Sequence, residues 1–181
     1  FWAGDATRRY GPRTARIIAA VLLLVGVLDQ TNPAAAPAYA DNASRLAGIR
    51  AFTDRLEQQV QPGCAVFQLP VLAFPEGLAR NDLQGYDELL PSITSTTLRW
   101  SAGAVQGTAA ADWQRALDET DLPRLADDLA AVGFCALVVH EKGYAADDPA
   151  GGLAQLLGPE LSVDPVERLR AFDLGRRRTD L

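Results

Sequence analysis

The chain predicts an α/β fold: a mixed or mostly parallel sheet of about four strands, covered by helices and preceded by one apolar helix. Three observations carry this. The run Phe134-Cys-Ala-Leu-Val-Val139 is apolar throughout, as in a strand covered on both faces. Cys64-Ala-Val-Phe67 opens a second run of the same kind. Around them, apolar residues recur at helical spacing, so the order reads helix, strand, loop, strand, helix, helix, strand, helix, strand. Right-handed crossovers are expected between the strands starting at Cys64 and Phe134.

The front of the chain reads differently. Arg8, Arg9, Arg13 and Arg16 lead into twelve apolar or small residues, Ile17 to Leu28, followed by Asp29-Gln30-Thr31-Asn32-Pro33. Twelve is short for a membrane span, which needs about twenty. A helix from Arg13 to Gln30 has eighteen, with arginine only at its start, where a long side chain snorkels to the interface. Three readings fit: a membrane span, a secretory signal ending at Ala38-Tyr39-Ala40, and a buried soluble helix. The span is favoured. The positive-inside rule then puts Arg8 to Arg16 in the cytoplasm and residues 31–181 outside it, with residues 1–30 as basic flank and span. Asn32 to Ala40, rich in Pro and Ala, reads as a linker, so 31–40 join the span to an α/β domain at 41–181. The chain begins at Phe1, which suits a piece of a longer protein.

In the domain, Asp41 to Ser44 offer N-caps for a helix with Leu46, Ile49, Phe52, Leu56 and Val60 on one face. Pro62-Gly63 stops it, and a strand from Cys64 to Leu72 follows, limited by Pro70. Ala73 to Pro91 reads as loop, and Leu98 to Ser101 as a short strand. Thr108 caps a helix around Trp113. Pro123 opens the next, whose stripe is Leu125, Leu129 and Val132. After the Phe134 strand come a short helix at Leu153 to Leu157 and a last strand at Arg168 to Leu174, expected near a sheet edge.

Residues 1–40 carry net +2 and residues 41–181 net −8, giving −6 overall. An acidic domain without a basic stripe argues against nucleic-acid binding, and Arg176-Arg177-Arg178 is too short to alter that. Cys64 and Cys135 read as two buried free thiols, with a disulfide open to them if their strands are neighbours outside the cytoplasm. Two cysteines and one histidine lack the spacing of a metal site, and no cofactor motif is present; Gly103-Ala-Val-Gln-Gly107 lacks the lysine of a phosphate loop. His140, at a strand end, reads as a solvent-edge histidine.

No residue is assigned a catalytic role. The candidate ligand or acceptor surface is the polar stretch from Phe74 to Gly107 together with Tyr144: Glu76, Tyr86, Asp87, Arg99, Trp100, Ser101 and Tyr144, with Asp82 and Ser95 nearby. Aromatics beside carboxylates and an arginine suit sugar or phosphate-sugar contact. They equally suit a rigid loop in which Arg99 pairs with Glu76 or Asp87 and Trp100 fills the core. A long loop raises the functional reading.

Several segments in order carry a resemblance. They are Gln68-Leu-Pro-Val-Leu-Ala-Phe-Pro-Glu76, Gly85-Tyr-Asp-Glu-Leu-Leu-Pro91, Leu98-Arg-Trp-Ser-Ala-Gly-Ala-Val-Gln-Gly107, Val132-Gly-Phe-Cys-Ala-Leu-Val-Val-His-Glu-Lys-Gly-Tyr144 and Phe172-Asp-Leu174. Behind an apolar helix, this set resembles the C-terminal part of bacterial polytopic membrane sugar or phosphoglycerol transferases, related to integral-membrane glycosyltransferases that use lipid-linked donors. The resemblance implies a last membrane helix, an extracytoplasmic α/β domain, and a catalytic acid on an early external loop that precedes this segment. It implies membrane lipid, a lipid-linked sugar donor and an envelope glycan acceptor as partners. Glu76, Tyr86, Arg99, Trp100, Ser101, Gly107 and Tyr144 match its recurrent positions. Ala102, Val105-Gln106 and His140-Glu141-Lys142 depart from it. The alternative is a non-catalytic extracytoplasmic glycan-binding or scaffold module; a small hydrolase using His140 is a distant third.

Overall fold

A helix that begins with a basic turn and continues as bare hydrocarbon has no core of its own to bury it. The computed structural model describes residues 2–31 and 38–178, and its contacts divide the chain into two units, 1–39 and 40–181. The first unit is α1 (Trp2–Gln30), broken at Gly11, whose φ of 74° suits a residue without a Cβ. Pro12 follows at the start of the resumed helix, where its missing N–H costs nothing. From Gly11 to Gln30 run 20 residues of mean hydropathy 1.7, none of the apolar window buried. At 1.5 Å per residue this is about 30 Å, the thickness of a bilayer's hydrocarbon. The apolar window lacks the burial that marks the core helix of a soluble protein. The segment is long and apolar enough to cross a membrane, and a signal sequence satisfies the same criteria. Most of the expected linker, residues 32–37, lies outside the described residues.

The second unit is the expected α/β fold. α2 (Tyr39–Glu57) starts two residues before the expected cap at Asp41 and buries Ile49, Phe52, Thr53 and Leu56, the i, i+3, i+4, i+7 stripe. Leu46, expected on that stripe, is largely exposed. β1 (Ala65–Leu69) stops before Pro70, which has no N–H for the ladder. β2 is the short pair Arg99–Trp100. α3 (Leu90–Thr94) occupies the end of the expected loop. α4 (Ala109–Asp118) is capped by Thr108, as expected, whose hydroxyl accepts from the Ala111 N–H at 3.3 Å. Asp121 caps α5 (Leu122–Ala131), with Pro123 in its first turn. β3 (Phe134–His140), α6 (Ala150–Leu157), β4 (Ser162–Asp164), β5 (Leu169–Asp173) and α7 (Gly175–Arg178) complete the described chain.

The strands form a five-stranded sheet in the order β2-β1-β3-β5-β4. β1 pairs in parallel with β2 and β3, while β5 runs antiparallel to β3 and to β4. Alternation sorts the side chains onto two faces. Phe67, Leu69, Leu137, Val139 and Phe172 meet Leu125, Leu129 and Leu153 of α5 and α6. Val66, Ala136, Val138, Leu169 and Ala171 meet Ile49, Phe52 and Leu56 of α2. Each fully buried side chain of this size contributes about 1.5–3 kcal/mol. On the first face Trp113 stacks on Phe134 at 6.2 Å, and Phe67 meets both rings edge-on.

The last strand, β5, lies second from the sheet edge, near where it is expected, with β4 pairing on its outer side. β4 has only three residues. It stays in register through Asp164, whose Oδ1 accepts from the Val166 and Glu167 N–H groups at 2.9 and 3.0 Å and so closes the hairpin turn. The cysteines are not free thiols but a disulfide, Cys64–Cys135. β1 and β3 are parallel neighbours, and the register jumps between Ala65↔Phe134 and Val66↔Ala136, leaving Cys135 as the extra residue of a bulge. There its Cα lies 5.8 Å from that of Cys64, within disulfide range.

The connection into β2 is tied down from α2. Glu57 Oε1 accepts from the Ser95 hydroxyl and the Thr96 and Thr97 N–H groups at 2.7–2.9 Å. Partial burial opposes its charge, but hydrogen bonds from Thr97, Ser95 and Thr96 hold the carboxyl down at about 2.

The disulfide closes a loop of 71 residues in sequence. Cys64→Ala/Cys135→Ala is expected to lose about 2–4 kcal/mol of unfolding free energy, read from urea denaturation. A midpoint unchanged from the parent protein would show that the bond does not form.

Candidate functional site

Two parallel strands leave their polar exits on the same side of a sheet, which is where α/β sites gather. In this fold β1 ends at Leu69 and β3 at His140, and the polar side chains concentrate beyond them. Gln68 is the last inward residue of β1 on the α2 face. Its side-chain amide donates to the Glu88 carbonyl at 2.8 Å, and its own N–H donates to Ser101 Oγ at 2.9 Å. These bonds bring the Asp87–Leu89 turn and the residue after β2 onto the end of β1. Gly143 lies against Pro70 so closely that a Cβ would meet its ring at 2.5 Å, so the turn leaving β3 seats directly on the end of β1.

The cluster has two adjoining parts. In the first, Glu88 is 5% exposed and its Oε1 has no hydrogen-bond partner. Burial pushes its carboxyl up to about 8; Asp118 adds to the shift, while the Leu72 N–H and Arg80 oppose it. Arg80 pairs with Asp118 at 2.7 Å and lies over the Tyr144 ring, 5.2 Å from its centroid. Burial, with Asp118 next, raises the Tyr144 phenol. Asn81 fixes this loop by donating to the Gly143 carbonyl at 2.7 Å.

In the second part, His140 is 3% exposed and neither ring nitrogen has a hydrogen-bond partner. This corrects the expected solvent-edge histidine: the residue pairs with Leu169 inside the sheet, on the face packed by α2. Burial drives its pKa down to about 4, with Asp87 and Glu167 pulling the other way. Over it, Arg45 of α2 bridges Asp87 and Glu167, both at 2.9 Å, and Lys142 reaches Glu167 at 2.9 Å. A neutral carboxyl that can donate, a neutral imidazole and a balanced ion network thus share one edge. Among the described residues no group of three or more His, Cys, Asp and Glu side chains is placed to hold a metal.

The residues singled out in the sequence do not all assemble. Asp87 is in the cluster, Tyr144 against Arg80, and Tyr86 beside it, 62% exposed and edge-on to Phe74 at 6.3 Å. Glu76 is exposed on the preceding turn. Ser101 is committed to the Gln68 N–H, and its carbonyl accepts from Gln114 at 3.0 Å. Trp100 packs against the α2-side core with its indole N–H buried and unpartnered. Arg99 pairs with neither Glu76 nor Asp87; its Nε donates to the Gly63 carbonyl at 2.9 Å, at the opposite edge. That opposite edge holds a hollow of about 780 Å³, lined in part by Gln61, Gly63, Arg99, Gly133 and the disulfide. This hollow and the polar cluster lie at different ends of the sheet. The strand exits are the better candidate, because the buried His140 ring and the buried Glu88 Oε1, neither with a hydrogen-bond partner, are there.

Sequence reasoning did not single out Gln68, Arg45, Glu88, Asp118 or Glu167. Only Glu88 had a cue, its place in a Pro-ended turn after a strand. Comparison with protein-family models, with curated proteins and with solved structures finds no match.

The two shifts act in opposite directions with pH. Glu88 titrates at 4.5 when unfolded and about 8 when folded. Its stabilisation is complete below pH 4.5 and is lost as pH rises through 8, so the parent should lose a few kcal/mol relative to Glu88→Gln across that window. Parallel stability curves for the two proteins would refute the neutral carboxyl. His140 titrates at 6.5 unfolded and about 4 folded, so it weakens the fold as pH falls from 6.5 to 4. His140→Gln should flatten that acid limb in urea titrations, and an unaltered limb would place the ring in water.

Proposed function

We propose that the chain is the membrane-tethered, extracytoplasmic part of a glycosyl- or phosphoglyceryl-transferase-like protein, with an α/β domain that shapes acceptor access and does not carry out transfer alone. The observation that supports this most is the disulfide behind an arginine-flanked apolar helix. Disulfides persist in oxidising compartments, and the arginines favour the cytoplasmic end of a span, so the two features support one reading, a domain outside the cytoplasm. The cluster at the strand exits supports a binding role. His140 has charged neighbours and no hydroxyl or thiol within hydrogen-bond reach, so it lacks a nucleophile to activate. A lipid-linked sugar donor and an envelope glycan are the ligands this reading requires. Tyr86, exposed beside the cluster, favours a second reading, a glycan-binding module in which a sugar ring stacks on that aromatic face.

The full chain in phosphatidylcholine vesicles is expected to bind an undecaprenyl-linked sugar or an envelope glycan without forming product. Tyr86→Ala should weaken glycan binding several-fold with the melting temperature unchanged. Turnover by this chain alone, abolished by His140→Gln, would overturn the accessory role; absence of binding to both ligands would overturn the recognition role.

A further inference from the structure

We propose that the sheet edge carrying the polar cluster is also a bilayer-contact surface, with Leu78, Tyr86 and Val166 seated at the boundary between headgroups and acyl chains. This rests on α1 spanning a membrane. The three side chains are 89%, 62% and 75% exposed, and they come from three separate turns. Contacts link those turns to one another. A Cβ on Gly85 would meet the Gly77 carbonyl at 2.9 Å, so the turn bearing Leu78 and the turn bearing Tyr86 touch through their glycine backbones. Next to Tyr86, Asp87 binds Arg45; Arg45 also binds Glu167, the neighbour of Val166.

The exposure is built in. A Cβ on Gly77 would meet the Ala73 carbonyl at 2.1 Å, so only glycine allows the turn that presents Leu78. Val166 is held out by Asp164, which accepts from its N–H at 2.9 Å. Apolar tips on braced turns, with a tyrosine among them, suit a surface that is apolar below and wet above.

Covalent geometry says what covers them. α2 starts at Tyr39, and its early turns carry Arg45 at this same edge. The chain from Gln30 to Tyr39 spans at most about 30 Å, so a membrane-spanning α1 keeps the domain on a short tether. Three tips are too few to hold a free domain on lipid, but a tether that short supplies a high effective concentration. The ion network at this edge balances Arg45 and Lys142 against Asp87 and Glu167, and Glu76 and Asp82 are exposed there. The surface therefore fits a zwitterionic interface.

The test uses the full chain in phosphatidylcholine vesicles. A nitroxide is placed on a cysteine introduced as Leu78→Cys, Tyr86→Cys or Val166→Cys, with Gln61→Cys at the opposite edge as control. Cys64 and Cys135 are paired, so the added thiol takes the label. The labels at 78, 86 and 166 should relax faster with oxygen than with an aqueous nickel chelate, and the label at 61 the reverse. Leu78→Asp/Val166→Asp should return the label at 86 to water while the chain still floats with the vesicles. Aqueous labels on a chain that floats would overturn the contact and leave the span standing. A chain that does not float would overturn both. Protection from oxygen and nickel alike would mean a protein partner covers the surface, and would also overturn it.

Discussion

The parallel pairing of β1 and β3 is the constraint on which the rest of this domain depends. It builds both halves of the core, since alternate residues of these two strands face α2 on one side and α5 and α6 on the other. It brings Cys64 within reach of Cys135 at one end of the pair. At the other end it puts Gln68 and His140 on one face, His140 two residues beyond Gln68's partner Val138, with Pro70 and Gly143 in contact just beyond. A one-residue slip would exchange the two faces, bury the wrong side chains and separate the cysteines. The bulge at Cys135 pins the pair against that slip.

The polar edge shows how charge is accommodated beside such a core. Neither Glu88 nor His140 has a salt-bridge partner; each is neutral over much of the ordinary pH range because burial disfavours its charged form. The charged residues around them are matched among themselves, through Arg45, Lys142 and Arg80 on one side and Asp87, Glu167 and Asp118 on the other. The arrangement keeps the edge polar without giving it a strong field.

Much of the fold was legible because it is written locally. The apolar run at Phe134, the cap at Thr108 and the proline at position 123 each announce one element, and each is found there. What was hidden is non-local. β4 is too short to show a period, and it exists because β5 offers it a partner. The disulfide needs a bulge that no propensity encodes. Arg45 and Glu167 lie on distant segments, and nothing in either neighbourhood says that they meet over His140. Trp100 and Ser101 looked like ligand contacts because aromatic and hydroxyl groups serve both packing and binding; the structure uses one for core contact and the other for a strand's N–H.

The number of cysteines has a consequence for how the domain is made. The sequence holds two, and the bond uses both. Within residues 1–181 one pairing is therefore open, so oxidation of this segment has no wrong partner to choose within it. The hazard is instead between molecules. A copy oxidised before β1 and β3 align can cross-link to its neighbour, so the order of events in assembly matters: sheet first, bond second.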